Sequence, residues 1–320
     1  SIPMEPDWSV VQSYIWTDKN QNRLFETSEI VALQPTKAGI RIIYGEAINN
    51  YGDVMGTEYE NGVGYKVWWK PDGTTVRLTS EVQKRKGNLL SLDINDKNQI
   101  IGMFLYDQGY PGSVGYLWQD SQIIQITTTK RESTLLFDIN NQGQILGASD
   151  LGYFIWQDLN GNLISEDDDF WDLDVPFVPK FITDYGCIIG RGNDNQTNKI
   201  IYLFQDRNQN RLAEPDEIIP LNRSFNFFPS LNGCNNRNLV VGFFKYTIND
   251  PPRAFILKGG GIIDLNTLIS PLEPIHLLSA KAINDNGWIL CDGYLKNGIW
   301  KAFLLIPNPE SGISTAQEYQ

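Results

Sequence analysis

A chain of 320 residues with 41% hydrophobic and 20% charged side chains can build a large core and is too apolar for disorder. Its formal charge of −12 opposes phosphate backbones and anionic membranes, and no apolar run approaches the ~20 residues of a membrane span, so neither nucleic-acid binding nor membrane insertion is expected. Cys187, Cys234 and Cys291 are too few and odd in number for a disulfide framework. The plentiful aromatics, 9 Trp, 14 Tyr and 15 Phe, favour strands over helices. The opening SIPMEPDW lacks a basic start and an apolar core, so any signal peptide is expected to be already removed.

In chain order the first element is a strand at SYIWTD (13–18), then an acid- and amide-rich stretch, DKNQNRLFETSE (18–29), then a strand at EIVAL (29–33). From there one phrase returns six times: AINNYGDVMG (47–56), DINDKNQIIG (93–102), DINNQGQILG (138–147), FITDYGCIIG (181–190), GCNNRNLVVG (233–242) and AINDNGWILC (282–291). The spacings are 46, 45, 43, 52 and 49 residues, a period that marks a repeat architecture. In each phrase Asn or Thr is followed three positions later by Gly52, Asn98, Gly143, Gly186, Asn238 or Gly287. That spacing fits a type I turn whose last residue takes a left-handed conformation, so each copy is expected to be a β-hairpin. The asparagines are read as turn formers rather than ligand contacts.

After each hairpin comes a third strand: YKVWWK (65–70), VGYLWQD (114–120), GYFIWQD (152–158), IYLFQD (201–206), RAFILKG (253–259) and KAFLLIP (301–307). A fourth follows at TVRL (75–78), IIQI (123–126), EIIPL (217–221) and IIDL (262–265), and is blurred between Leu163 and Leu173 in the third unit. No helical periodicity competes with these strands. Four-stranded units of this length predict an all-β, six-bladed β-propeller, closed by an N-terminal strand that supplies the last blade's missing fourth. Seven blades, one of them incomplete, is the alternative. The propeller is expected to span 13–307 as one domain, between an N-terminal segment (1–12) and a C-terminal tail (308–320).

The pattern A-I-N-x-x-G-x-I-x-G, then A-F-L-W, then a short I-x-D-L strand, resembles the HAF-type repeats of probable extracellular bacterial proteins. The resemblance is carried best by AINDNGWIL with KAFLLIP and by RAFILKGGGIIDL, and it covers most of residues 13–307. Arg253 or Lys301 stands where the family has its His. The resemblance implies a secreted or surface-associated propeller and brings no catalytic residues.

Trp16, Trp69, Trp118 and Trp156 share one position that Phe204, Leu257 and Leu305 hold in other units, which points to packing between blades rather than a sugar platform. The cysteines share no register and read as small buried hydrophobes.

The stretch at 18–29 is nearly respelled at 206–217, DRNQNRLAEPDE. Both fall between a third and a fourth strand. Their spacing fits a calcium loop: Asp18, Asn20 and Asn22, or Asp206, Asn208 and Asn210, at positions one, three and five. Position seven offers a carbonyl (Leu24, Leu212), position nine is Glu26 or Glu214, and position twelve is Glu29 or Glu217. Arg23 and Arg211 replace the glycine expected at position six. A third candidate, DLNGNLISEDDD (158–169), offers Asp158, Asn160 and Asn162 but ends in the shorter Asp169. The expected ion is a structural Ca2+.

His276 is the lone histidine and precedes an inner strand, so a multi-His metal centre is excluded and a triad has one candidate base. Asp93 and Asp138 at matching inner positions, or the cluster EDDDFWDLD (166–174), could instead serve a glycan hydrolase or lyase. The expectation is a non-catalytic monomer that binds a protein or glycan ligand through its loops.

Overall fold

The computed structural model describes residues 11–23, 26–78, 87–106, 112–192, 200–222, 228–247, 249–270 and 274–307. The segments 1–10 and 308–320, most of the two expected tails, therefore lie outside the described residues. The chain divides into two compact units, Ser1–Asp172 and Leu173–Gln320. Among the described residues the only helical elements are four short 3-10 turns, and no helix is long and apolar enough to cross a membrane.

The first unit opens with β1 (Tyr14–Trp16) and β2 (Ile30–Ala32), which pair with each other. Three antiparallel four-stranded sheets follow. The first holds β3 (Ile42–Ile48), β4 (Val54–Glu60), β5 (Val63–Trp69) and β6 (Thr75–Arg77). The second holds β7 (Gly87–Ile94), β8 (Ile100–Tyr106), β9 (Ser113–Gln119) and β10 (Gln122–Gln125). The third holds β11 (Thr134–Ile139), β12 (Ile145–Ser149), β13 (Gly152–Trp156) and β14 (Phe170–Leu173), whose last residue falls in the second unit.

The second unit continues the pattern with β15 (Phe177–Ile182), β16 (Ile188–Gly192), β17 (Ile201–Phe204) and β18 (Ile218–Pro220). Next come β19 (Phe228–Cys234), β20 (Val240–Lys245), β21 (Arg253–Lys258) and β22 (Gly261–Asp264). The last sheet has three strands, β23 (Ile275–Ile283), β24 (Ile289–Leu295) and β25 (Trp300–Leu305). Each sheet is a meander in which sequence neighbours pair. The fold is all-β, a six-bladed β-propeller. The third blade's fourth strand is sharper than its sequence promised: it starts at Phe170, directly after the twelve-residue loop.

All six hairpin turns form as expected. Gly143 N–H donates to the Asn140 carbonyl at 3.0 Å and Gly287 N–H to that of Asn284 at 2.9 Å, with the same bond in the other four copies. The residue in the last turn position has positive φ in every copy, including Asn98 at 59° and Asn238 at 57°. Gly143 sits at φ 85°, so Gly143→Val is expected to cost ~1–3 kcal/mol, because a β-branched side chain is strained there. Denaturant unfolding checks this. The same change at Gly161, also at positive φ but with open space around it, sets the scale for φ strain alone.

Each inner strand also carries a β-bulge. Pairing slips between Gly45 and Ala47, between Leu136 and Asp138, and between Leu231 and Gly233, with equivalents in the other blades. The bulge presses an inner-strand carbonyl onto the second strand. A Cβ on Gly242 would lie 1.9 Å from the Ser230 oxygen, and one on Gly56 would lie 1.9 Å from that of Tyr44. This contact, not a turn, explains the glycine that ends the repeated phrase. In the last blade a second bulge shifts the role from Cys291 to Gly293.

The turn asparagines do two jobs. Asn95 Oδ1 accepts from the Lys97 and Gln99 amides at 3.0 Å each, which shapes its own turn. Its Nδ2 donates to the Asn140 carbonyl of the next blade at 2.9 Å, as Asn235 Nδ2 does to Asn284 at 3.0 Å. The following residue makes a second belt. In the first unit Asn50 Nδ2 and Asn141 Nδ2 both donate to Asp96 Oδ2, at 2.8 and 3.0 Å. In the second unit Asn236 Nδ2 donates to Asp184 Oδ2 and Asp285 Oδ2, at 2.8 and 2.9 Å.

Apolar side chains of neighbouring sheets interdigitate between the blades. Ile101 and Leu117 pack with Leu136, Phe154 and Trp156, while Ile189 and Leu203 pack with Val240 and Phe255. Trp69 and Trp156 are buried, as are Phe204 and Leu257 at the same position, so the shared tryptophan position is a packing position. Cys187 and Cys291 belong to these cores; burial raises both thiols, Cys291 to about 12 with help from the Asp292 carboxylate.

Candidate metal centres

The three twelve-residue loops fold alike. Each leaves a third strand, makes a short 3-10 turn at Thr27–Glu29, Asp167–Asp169 or Pro215–Glu217, and enters a fourth strand. The carboxylate at position one caps the turn from outside. Asp18 Oδ2 accepts from the Arg23 amide at 3.1 Å, Asp158 Oδ2 from Leu163 at 3.0 Å, and Asp206 Oδ2 from Arg211 at 3.0 Å. Position three accepts from the amide of position five: Asn22 to Asn20 Oδ1 at 3.0 Å, Asn162 to Asn160 at 2.9 Å, and Asn210 to Asn208 at 3.0 Å. The amide of position seven donates to Asn162 Oδ1 and Asn210 Oδ1 in the last two loops, Leu212 doing so at 2.7 Å.

Position twelve is the centre of each loop. Glu29, Asp169 and Glu217 are only 3%, 5% and 2% exposed. Glu217 Oε1 accepts from the Arg207 amide at 2.7 Å and Glu29 Oε1 from the Lys19 amide at 2.9 Å. Asp169 Oδ1 accepts from the Leu159 amide at 3.2 Å. Each of these buried carboxylates is thus held in place by a backbone N–H group.

The second oxygen differs among the loops, and the residue two places before the loop decides how. Trp16 donates its indole N–H to Glu29 Oε2 at 3.2 Å. Phe204 has no such donor, and Glu217 Oε2 is buried without a hydrogen-bond partner. Asp169 is one methylene shorter and directs Oδ2 to the Glu166 amide instead, at 3.0 Å, leaving the Trp156 indole N–H buried and unpartnered. Asp169→Glu is therefore expected to reach Trp156 and stabilise the fold by about 0.5–1.5 kcal/mol, the usual net value of a hydrogen bond. Thermal unfolding of this variant, with and without Trp156→Phe, checks it: the gain must vanish in the double variant.

Arg at position six is no obstacle to the turn. Arg23 and Arg211 both adopt φ 61°, and Leu163 adopts 58° in the third loop, so the chain accepts the left-handed residue without glycine. Gln21, Gly161 and Gln209 at position four are left-handed as well. Leu24 lies outside the described residues; Leu212 has an exposed side chain.

The position-nine glutamates play a part the sequence did not reveal. Glu26 accepts from Asn20 Nδ2 at 3.1 Å and from Asn22 Nδ2 at 2.9 Å. Glu214 accepts from Asn208 Nδ2 at 2.6 Å, and Glu166 binds both Asn160 and Asn162. These carboxylates orient the asparagine amides, and among the described residues no three His, Cys, Asp or Glu side chains gather as a metal site. A cation here would draw on Asp18, Asn20, Asn22 and Glu29, or on Asp206, Asn208, Asn210 and Glu217. All of these are hard oxygen donors, and the unpartnered Asp18 Oδ1 and Glu217 Oε2 suit Ca2+.

The acidic cluster at 166–174 is largely committed elsewhere. Lys130 Nζ lies 2.6 Å from Asp167 Oδ2, which with the Thr128 hydroxyl holds the Asp167 carboxyl below its ordinary range. Asp172 pairs with Arg131. His276 lies inside β23 rather than before it, its ring 5.1 Å from that of Tyr294, with Nε2 buried and unpartnered. Asp93 and Asp138 hold matching places after the bulges of β7 and β11, and each accepts from the next backbone amide, at 2.8 and 3.1 Å.

No family model and no curated protein matches the chain, so the likeness to HAF-type repeats rests on the quoted residues alone. Among solved structures, YCF48 bound to D1 peptide is similar at 11% identity, with 88% of this chain and 83% of that one covered and a TM-score of 0.48. Virginiamycin B lyase from Staphylococcus aureus is similar at 14% identity, with coverages of 82% and 83% and a TM-score of 0.44. TolB from Acinetobacter baumannii is similar at 13% identity and a TM-score of 0.44, with 67% of this chain covering 51% of that one.

Proposed function

We propose that the protein is a calcium-stabilised, secreted or surface-associated propeller that binds a protein or glycan ligand through its blade loops, without catalysis. The observation that carries the reading is the threefold recurrence of one loop geometry around a buried carboxylate, with Glu217 Oε2 left unpartnered. A lone acidic turn would not need to bury its last carboxylate. Calcium gives that burial a purpose: it fixes long connections that then present a stable surface. The repeated phrases that resemble extracellular HAF-type repeats support the location, where millimolar calcium makes even a weak loop occupied.

Screening the intact chain on a glycan array and in pull-downs, each in calcium and in chelator, tests the proposal. Calcium-dependent retention of a defined glycan or protein, without turnover, is the expected result. Hydrolysis or elimination of an arrayed glycan would replace it with an enzyme.

A further inference from the structure

Two cations of the second unit meet at one strand edge. β19 is the first strand of its sheet, so one of its edges has no strand neighbour there. Carbonyls alternate along a strand, and that of Ser230 is turned onto Gly242 of β20. The carbonyls of Pro229 and Leu231 therefore lie on the free edge, roughly 6.6 Å apart. Lys180 Nζ donates to the Leu231 carbonyl, and Arg191 Nη1 donates to that of Pro229 at 3.2 Å. Lys180 is the bulged residue of β15, and Arg191 of β16 stands opposite Val178.

Bridging two inner strands does not require charge. Asn232, the bulged residue of β19, reaches the Ala280 carbonyl of the next inner strand with its neutral amide, at 2.9 Å. At the matching place on β15 the chain sets an ammonium, with a guanidinium beside it. No carboxylate answers them. Strands β15 to β21 contain no Asp or Glu, and Asp184, just past β15, accepts from Asn236. Among the described residues, the ion pairs of the second unit are Arg207 with Asp216, Arg253 with Asp264 and Lys281 with Asp292. The Phe181 ring lies 5.4 Å from Lys180 Nζ, a far weaker attraction than a carboxylate offers. Both cations belong to exposed residues, yet withdrawal from water lowers the Lys180 ammonium below its ordinary range, and the Arg191 charge lowers it further. An exposed residue whose charged end is poorly solvated lies in a recess. Each cation spends one N–H on its carbonyl, and the rest have no acceptor among the described residues.

We propose that Lys180 and Arg191 form an oxyanion site between the fourth and fifth blades, which takes the carboxylate or phosphate group of a small ligand. Such a group sets one oxygen on each cation through charge-assisted bonds of roughly 2.8 Å, and its own width spans the rest of the gap. The bound anion offsets the repulsion between the two cations and gives acceptors to their open N–H groups. On a chain of net charge −12, an unanswered cation pair marks the spot for an anion that the rest of the surface repels. The site shares no residue with the three acidic loops and needs no calcium.

The test is the melting temperature of the intact chain in chelator, at constant ionic strength, with malonate or inorganic phosphate replacing chloride. Wild type is compared with Lys180→Gln and Arg191→Gln, because salts of this kind raise melting temperatures generally. The wild type is expected to gain several degrees more than either variant, and whether malonate, phosphate or both do so tells which oxyanion the site takes. Equal gains in all three proteins would overturn the site. If a variant folds poorly, acetylation of the wild-type lysines near neutral pH serves instead. Malonate or phosphate is expected to slow the reaction of Lys180 several-fold relative to the other lysines. A Lys180 rate that neither anion changes sinks the proposal.

Discussion

Calcium is expected to raise the melting temperature of the intact protein, and chelation to reverse the rise. At a hundredfold excess over its dissociation constant, an ion that binds only the folded state contributes about 2.7 kcal/mol per site. The physical source is specific to position twelve. Glu217 is buried with one oxygen on the Arg207 amide and the other unpartnered, a costly arrangement for a polar group. Coordination of an ion would supply the missing partner. Glu217→Gln should therefore blunt the rise, and Glu29→Gln should do the same at the loop where Trp16 already satisfies the second oxygen. Asp169→Asn should matter less, because its oxygens are both taken by backbone amides. Magnesium should substitute weakly, since it demands tighter octahedral geometry. Identical melting curves in calcium and chelator would return all three stretches to plain turns.

Removal of residues 1–35 should yield an aggregating or unfolded protein, the largest effect expected of any change considered. Val11 pairs in parallel with Ile42 and exchanges backbone bonds with Arg41 and Ile43, both at 2.8 Å, along the inner strand of the first blade. The Ser13 hydroxyl donates to the Ile43 carbonyl and accepts from the Gly45 amide. Leu33 fills the core formed by Ile43, Val54, Val67 and Trp69, and its loss alone costs ~2–5 kcal/mol, as is usual for a cavity of that size. The Trp69 indole N–H, which donates to the Gln34 carbonyl at 2.6 Å, would be stranded as well. Such an exposed strand edge templates association. Size-exclusion and melting measurements on the truncated chain decide it; a soluble monomer with unchanged melting would show that the segment is dispensable.

The hairpins were legible because turn chemistry is local: Asn140 and Gly143 lie within one turn and carry its whole signature. The loops were legible for the same reason, down to Asp206 and Glu217. What escaped sequence reading depends on residues far apart in the chain. The bulge residues Glu46, Phe137, Lys180 and Asn232 share no chemistry, so nothing in the inner strand announces them. The trace was in the partner strand, in the glycine that closes each phrase. The split fate of the position-twelve carboxylate likewise turns on Trp16 against Phe204, a difference that looked like interchangeable packing. The N-terminal third and fourth strands pair as the sequence placed them, Tyr14–Trp16 against Ile30–Ala32.

The tips of the six hairpins read Asn50, Asp96, Asn141, Asp184, Asn236 and Asp285 in order. An amide can donate to a carboxylate, but two ionised carboxylates repel and share no proton. At each observed contact an asparagine supplies the donor between two tips, as Asn50, Asp96 and Asn141 show in one unit and Asp184, Asn236 and Asp285 in the other. Making Asn141 or Asn236 an aspartate would set carboxylates side by side and remove the amide that donates between neighbouring blades.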